Sequence, residues 1–190
     1  KMAGIMDSQD LITELNFYIQ KFDEIIEGRF IEKIKTIGDA YMCAGGLPLR
    51  NKSNPIDVTL AGLKIQQFMI DTAEEKRQKG ETPWELRLGV HTGDVIAGVI
   101  GKKKFAYDIW GDAVNKASRM EQAGEVGKVN VSGDTYEYIK DFFECTYRGK
   151  ITVKNNELDM YFVNRLKAEY SDDEFGVEPN AEFLKLLAKY

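Results

Sequence analysis

The sequence predicts an α+β fold in which helices pack on a mostly antiparallel sheet. Segments whose apolar residues recur three and four positions apart, typical of amphipathic helices, separate shorter segments that resemble strands. The strand-like segments come in pairs joined by tight turns, and two strands joined in this way run antiparallel. Helices that separate antiparallel hairpins are typical of one sheet with helices packed on it.

The first part of the chain predicts two helices and a hairpin. Apolar residues recur at helical steps over residues 9–27 and predict an amphipathic helix. Strands are expected over 30–37 and 40–44, around a two-residue turn at Gly38-Asp39. A polar loop then leads to a second long helix over residues 56–80.

The middle of the chain predicts a second hairpin and a third helix. Strands are expected over 84–90 and 95–100, joined at Thr92-Gly93-Asp94. A further short strand is expected over 105–110. Asp112 is expected to be the N-cap of the helix that follows.

The last part of the domain predicts a strand, a helix and a final hairpin. The strand is expected over 129–131 and the helix over 133–142. Two strands, 144–153 and 158–163, are expected to pair around a turn at Asn155-Asn156.

Length and composition indicate one domain with a tail. A chain of 190 residues suits a single domain and can bury a sizeable core. We therefore assign residues 1–164 to one domain. An acidic connector over 169–174 and a predicted short helix over 181–190 form a C-terminal tail, residues 165–190.

Charge and composition exclude several classes of function. The chain has 26 basic and 31 acidic residues, which gives a net charge of −5. This charge disfavours binding to nucleic acid through a strongly basic surface. No apolar run approaches the roughly 18–20 residues of a membrane span, so no membrane contact is expected within this chain. Cys43 and Cys145 form neither a metal motif nor a disulfide framework, which fits a cytoplasmic protein. The single histidine, His91, disfavours histidine-rich zinc sites and Ser–His–Asp hydrolases, and we expect it to be structural.

The first candidate site segment is the predicted hairpin over residues 32–41. Lys33 and Lys35 alternate onto one face of a strand among apolar neighbours, and Asp39 follows in the tight turn. A carboxylate at a hairpin tip can ligate a hard divalent cation. The alternative is a surface lysine pair beside a turn-forming aspartate.

The second candidate segment covers residues 107–120. Asp108 lies on a strand rich in aromatic residues, and Asn115 and Arg119 are four residues apart on one face of the next helix. A helix start, an amide and a guanidinium suit a phosphate or a ribose. The alternative is that Asp112 only caps the helix and Arg119 pairs with a surface acid. A third, weaker signal is Lys154, which lies at a strand end where it could reach a phosphate.

Four phrases together resemble the catalytic domain of class III nucleotidyl cyclases, the adenylyl and guanylyl cyclases. They are EKIKTIGDAYM at 32–42, LRLGVHTGDVIAGVIG at 86–101, YDIWGDAVNKASRM at 107–120 and RGKITVK at 148–154. The phrases occur in the family's order and spacing, and the resemblance covers residues 9–164. It implies a ferredoxin-like βαββαβ core with a C-terminal α/β extension, in a lyase that produces a signalling nucleotide.

The resemblance also implies roles for single residues. Asp39 matches one of two aspartates that hold two catalytic divalent ions, Mg²⁺ or Mn²⁺. Asn115 matches the residue that orients the ribose, and Arg119 the one that stabilises charge at the reacting phosphate. Lys154 matches the lysine that holds the terminal phosphates.

The purine-reading pair implied by the resemblance is Lys35 and Asp108. Adenine offers an acceptor at N1 and a donor at N6, which fit a donor-only lysine and an acceptor-only carboxylate. Guanine reverses both contacts, so we expect ATP as substrate. The expected reaction yields cyclic AMP and pyrophosphate. The alternatives are a guanylyl or relaxed-specificity cyclase, and a degenerate domain that only binds nucleotide or regulates a partner.

The resemblance further implies a homodimer with sites shared between protomers, and regulatory domains elsewhere in the full protein. The family's first metal aspartate lies in a D-x-x-G-F-[ST] phrase that should come just before Lys1. We therefore expect an upstream segment that supplies this ligand and the first strand. The usual K-G-x-G after the phosphate strand is here Lys154-Asn155-Asn156-Glu157. Asp94 stands where some members place a phosphate-binding arginine, so no such contact is expected there.

Overall fold

The structure is a computed structural model, and it describes residues 7–103, 105–154 and 156–190. Helices and strands alternate along the chain, which confirms the predicted α+β class. The α-helices in these ranges are α1 (Ser8–Ile26), α2 (Asn54–Gln78), α3 (Asp112–Gln122), α4 (Gly133–Ile139) and α5 (Ala181–Leu187). The strands are β1 (Ile31–Ile37), β2 (Ala40–Gly45), β3 (Leu88–Val90), β4 (Ile96–Ile100), β5 (Ala106–Trp110), β6 (Val129–Ser132), β7 (Phe143–Val153) and β8 (Asn156–Leu166).

The strands of the described residues form three sheets, where the sequence predicted one. β1 pairs with β2, β4 pairs with β5, and the remaining strands form a four-stranded sheet in the order β3-β6-β8-β7. All pairings are antiparallel except that of β3 with β6, which is parallel. The turn at Asn155 lies outside the described residues.

The predicted hairpin between residues 84–90 and 95–100 is wrong. β3 pairs with β6, and β4 pairs with β5. A parallel pair needs a long crossover, and the chain supplies it by inserting the β4–β5 hairpin and α3 between β3 and β6. Residues 84–87 are not strand, and the Leu86 carbonyl instead accepts from the Gly127 N–H at 3.1 Å and the Gln66 amide at 3.3 Å.

The main core lies between α2 and the four-stranded sheet. One cluster of buried apolar side chains joins them: Ile56, Leu60, Leu63, Val90, Val129, Val131, Ile139, Phe142, Phe143, Val163, Leu166 and Phe183. A second cluster joins α1 to α2 through Tyr18, Phe22, Ile65 and Met69. Burying one such side chain contributes about 1.5–3 kcal/mol, so these faces fix the framework on which the candidate site is built.

The start of α3 differs from the prediction. Its N-cap is Gly111, and Asp112 is the first helical residue. Gly111 has a φ of 142°, and a Cβ there would lie 3.1 Å from the Asp94 carbonyl oxygen. Both the backbone angle and the close approach favour glycine at this position. Because Asp112 is not the cap, its carboxylate can pair with lysines.

The tail packs on the domain. Asn180 caps α5 by accepting from the Phe183 N–H at 2.9 Å, and the Phe183 ring is 1% exposed within the main core cluster. A salt bridge of 2.5 Å between Lys64 of α2 and Glu178 also joins the tail to the domain. Within the described ranges, no helix combines the length and apolar character needed to cross a bilayer.

Candidate active site

The β1–β2 hairpin directs its two lysines to different partners. The register of the strands shifts between Lys33 and Lys35, so the hairpin contains a bulge. Lys33 Nζ lies 2.6 Å from the Asp23 carboxylate on α1, which also accepts from the Tyr41 hydroxyl at 2.7 Å. Lys33 thus links the hairpin to α1, and Lys35 is the lysine of this hairpin that contacts another predicted site residue.

Lys35 and Asp108 are brought together from distant parts of the sequence. Lys35 Nζ on β1 lies 2.6 Å from Asp108 Oδ2 on β5. The other Asp108 oxygen accepts from the Ile109 N–H at 2.8 Å. The hydrogen bond from Lys35, then the backbone hydrogen bond, hold the pKa of Asp108 below its usual range. An ionised acceptor therefore stands beside a cationic donor at neutral pH.

Asn115 and Arg119 line a cavity between α3 and the end of β7. The cavity has a volume of about 390 Å³. One wall is the α3 face that carries Asn115 and Arg119, and the other is the last part of β7, from Ile151 to Val153, followed by Lys154. Three of the six residues predicted for the site therefore surround one space.

Arg119 has a partner within its own helix. Its Nη1 donates to Oε1 of Gln122 at 2.7 Å, and Gln122 also lines the cavity. Sequence reasoning did not find Gln122, although its spacing of three residues from Arg119 is a signal for contact on a helix.

Lys154 is exposed and also lines the cavity. It follows β7 with a φ of 47°, and its Nζ lies 3.4 Å from Asp112 Oδ1. Lys116 reaches the other Asp112 oxygen at 3.2 Å. Hydrogen bonds from Lys116 and then from Lys154 lower the pKa of Asp112, so this acid is ionised and balances two lysines. An ammonium and a guanidinium at one cavity suit an anionic ligand such as a polyphosphate.

Asp39 is exposed in the turn between β1 and β2 and is not among the residues that line the cavity. In the part of the chain that the structure describes, no group of three or more His, Cys, Asp or Glu side chains could hold a metal ion. A single exposed carboxylate does not make a metal centre, so the described residues alone do not fit two divalent ions.

His91 lies outside the cavity lining. Its side chain is 3% exposed, and its Nδ1 lies 2.8 Å from Ser132 Oγ and 3.7 Å from the Asp134 carboxylate. Burial lowers the pKa of His91, so the neutral imidazole is favoured. A structural role for this residue stays a prediction.

Comparison with known proteins identifies the class of the domain. A family model described as the adenylate and guanylate cyclase catalytic domain matches residues 1–165. An adenylate cyclase of Mycobacterium bovis is 38% identical over 172 residues, which are 90% of this chain and 38% of that protein. Human guanylyl cyclase C is 42% identical over 139 residues, which are 73% of this chain and 13% of that protein.

A solved structure shows the same fold. The guanylate cyclase domain of RhGC from Catenaria anguillulae, in complex with GTP, matches with a TM-score of 0.79 and 28% identity. The match covers 87% of this chain and 90% of that one. The chain therefore belongs to the adenylate and guanylate cyclase catalytic domain family, as the four phrases predicted. It spans well under half the length of the two curated relatives.

Proposed function

We propose that this domain converts ATP to 3′,5′-cyclic AMP and pyrophosphate. The observation that carries the choice of ATP is the Lys35–Asp108 pair, whose nitrogen and oxygen are 2.6 Å apart. The family includes both adenylyl and guanylyl cyclases, and this pair supports adenine as the purine.

The pair offers one donor-only group beside one acceptor-only group. Adenine can accept at N1 from Lys35 and donate from N6 to Asp108. Guanine presents a donor at N1 and an acceptor at O6, so both contacts would be repulsive in the same pose. The Asp108 side chain is only 15% exposed, and a mismatched contact there would leave a charged group poorly solvated.

The cavity beside α3 supports a site for ribose and phosphates. In the proposed reaction, the ribose 3′-oxygen attacks the α-phosphorus, and the bond from that phosphorus to the bridging oxygen of pyrophosphate breaks. Arg119 would stabilise negative charge at the α-phosphate, and Asn115 would orient the ribose. Lys154 would move from Asp112 to the terminal phosphates. Catalysis would then consist mainly of positioning and charge stabilisation.

Divalent metal ions are part of the chemistry of cyclase catalytic domains, and we propose Mg²⁺ or Mn²⁺ here. Two ions would stabilise charge on the phosphates and lower the pKa of the ribose hydroxyl. Asp39 is the carboxylate that we propose as a ligand. In the described ranges it belongs to no group of three or more acidic, histidine or cysteine side chains that could hold a metal ion.

We further propose that the domain acts as a homodimer with shared sites. The β4–β5 hairpin supports this, since Ile96 and Ile100, which share one face of β4, and Phe105 are 73%, 55% and 74% exposed. An apolar surface of this kind is typical of an interface. Because the chain covers a minor part of its curated relatives, we also propose regulatory domains elsewhere in the protein. The cytoplasm remains the proposed compartment.

The test is product formation by protein expressed from its complete coding sequence, with ATP or GTP and with Mg²⁺ or Mn²⁺. Cyclic AMP from ATP alone is the expected result. Cyclic GMP at a comparable rate would favour the second candidate, a guanylyl or relaxed-specificity cyclase. The 42% identity to human guanylyl cyclase C supports that candidate. Binding of nucleotide without any product would favour the degenerate domain.

A further inference from the structure

The side chain of Arg148 joins β7 to the end of α3, the two elements that form the walls of the cavity. The register of β7 against β8 shifts between Tyr147 and Gly149, so Arg148 is the extra residue of a bulge. Gly149 has a φ of 104°, which favours glycine. A bulge of this kind changes the direction of a side chain, and here that side chain reaches α3.

The Arg148 side chain binds a backbone carbonyl at the end of α3. Its Nη1 donates to the carbonyl oxygen of Ala123, the C-cap of α3, at 2.5 Å. The guanidinium carbon lies 4.3 Å from the centroid of the Phe162 ring on β8, and Nη2 lies 3.4 Å from Glu125. The side chain is only 20% exposed. A largely buried cation that donates to a terminal helix carbonyl makes a favourable contact at the negative end of the helix dipole.

Two further contacts hold the same turn of α3 against the sheet. The buried amide of Asn130 on β6 donates to the Met120 carbonyl oxygen at 2.8 Å. Gly89 on β3 lies so close to α3 that a Cβ there would lie 2.0 Å from the Glu121 nitrogen. Arg119 belongs to this turn, so the position of its side chain depends on how the turn is held.

We propose that Arg148 is a positioning residue for Arg119. By binding the Ala123 carbonyl, it fixes the last turn of α3 relative to β7 and so places the Arg119 guanidinium over the cavity. This inference rests on the proposed function, because it assigns Arg119 to the reacting phosphate. Lysine cannot replace Arg148 fully, since stacking on Phe162 and donation to the carbonyl together need a planar guanidinium.

The test compares Arg148→Met and Arg148→Lys with two control variants, in protein expressed from the complete coding sequence. Arg87→Met removes another arginine that reaches α3, but only through an exposed pair with Glu121 at 2.9 Å. Glu125→Gln removes the negative charge that faces Arg148 and leaves the donation to the Ala123 carbonyl intact. We expect kcat to fall about tenfold to a hundredfold in Arg148→Met and less in Arg148→Lys, with KM changed by less than about threefold. Both controls should stay within about twofold of wild-type kcat.

A double-mutant cycle separates positioning from general destabilisation. In an Arg119→Ala background, Arg148→Met should cause almost no further loss of kcat per folded molecule, because its effect passes through Arg119. Independent losses that multiply would overturn the proposal. So would a loss in Arg87→Met equal to that in Arg148→Met.

Hydrogen exchange tests the inference without catalysis. Arg148→Met should reduce protection of the amides in the last turn of α3, while Arg87→Met should leave it unchanged. Unchanged protection in Arg148→Met would overturn the proposed contact. If the wild-type protein makes no cyclic nucleotide, the proposed function fails, and this measurement still decides whether Arg148 holds the helix.

Discussion

Replacing Gly89 with alanine should separate α3 from the sheet and disable the domain. Gly89 lies on β3, directly beneath the last turn of α3. The added Cβ would lie 2.0 Å from the Glu121 nitrogen, 2.5 Å from the Met120 carbonyl carbon and 2.6 Å from the Glu121 Cα. All three are backbone atoms, so a rotamer change cannot relieve the clash.

The size of the effect follows from these distances. Ordinary contact begins at 3.4 Å, so the α3 backbone must retreat by about 1.4 Å or β3 must shift by as much. Overpacking of this kind costs about 1–3 kcal/mol, and we expect the upper part of that range because backbone must move. Arg119 directly precedes Met120. A displacement of about 1 Å at a catalytic group can lower the rate about a hundredfold, so kcat should fall by that order.

The assay combines denaturant unfolding with cyclic nucleotide formation at saturating substrate. Gly62→Ala is the matched control, since its Cβ would meet side-chain atoms, those of Leu88 at 3.3 Å and Val129 at 3.5 Å, and no backbone atom among its nearest neighbours. It should unfold within about 1 kcal/mol of wild type and keep its kcat. The reasoning is refuted if Gly89→Ala keeps its unfolding free energy within about 0.5 kcal/mol and its kcat within about threefold.

Three further predictions concern the site and its surroundings. An Asp39→Ala chain mixed with an Arg119→Ala chain should recover about a quarter of wild-type activity, because half of the dimers are mixed and each has one intact site; no recovery on mixing argues against shared sites. Asp108→Asn should lower the preference for ATP over GTP, measured as the ratio of kcat/KM, by about tenfold or more, since an amide can donate to O6 of guanine; an unchanged ratio contradicts the role of the pair. His91 should be less basic folded than unfolded, because burial lowers its pKa from the ordinary 6.5. The free energy of unfolding should therefore fall as pH drops below 6.5, because the unfolded chain then binds the proton and the folded chain does not. In unfolding experiments, His91→Asn should flatten this dependence between about pH 7 and pH 5. An equal slope in both proteins, or a proton NMR titration of this imidazole at its ordinary pKa, contradicts the assignment.

Local patterns predicted most helices and strands, because periodicity and turn residues act over a few positions. The hairpin around Gly38-Asp39 has the predicted turn, and the helix over residues 9–27 is α1 within one residue at each end. Pairing was less predictable. The expectation that residues 84–90 pair with their neighbour in sequence failed because β3 is paired through a crossover with β6.

The site was partly accessible from sequence. The spacing of Asn115 and Arg119 put both on one helix face, and the structure finds both at the cavity. The bulge that separates Lys33 from Lys35 was not predictable, since register depends on how two strands meet. Arg148 and Ala123 are 25 positions apart in sequence, so no local pattern predicts their contact.

By itself, the sequence determined the α+β class, the family and the chemical character of the candidate groups, because those follow from residue types and short spacings. The tertiary structure alone decided that Lys35 meets Asp108 across 73 positions, and that α3 and the end of β7 enclose one cavity. It also decided that Gly89, Asn130 and Arg148 hold the last turn of α3. These arrangements depend on backbone contacts and on the direction of side chains between elements, which are settled only when the helices and sheets pack.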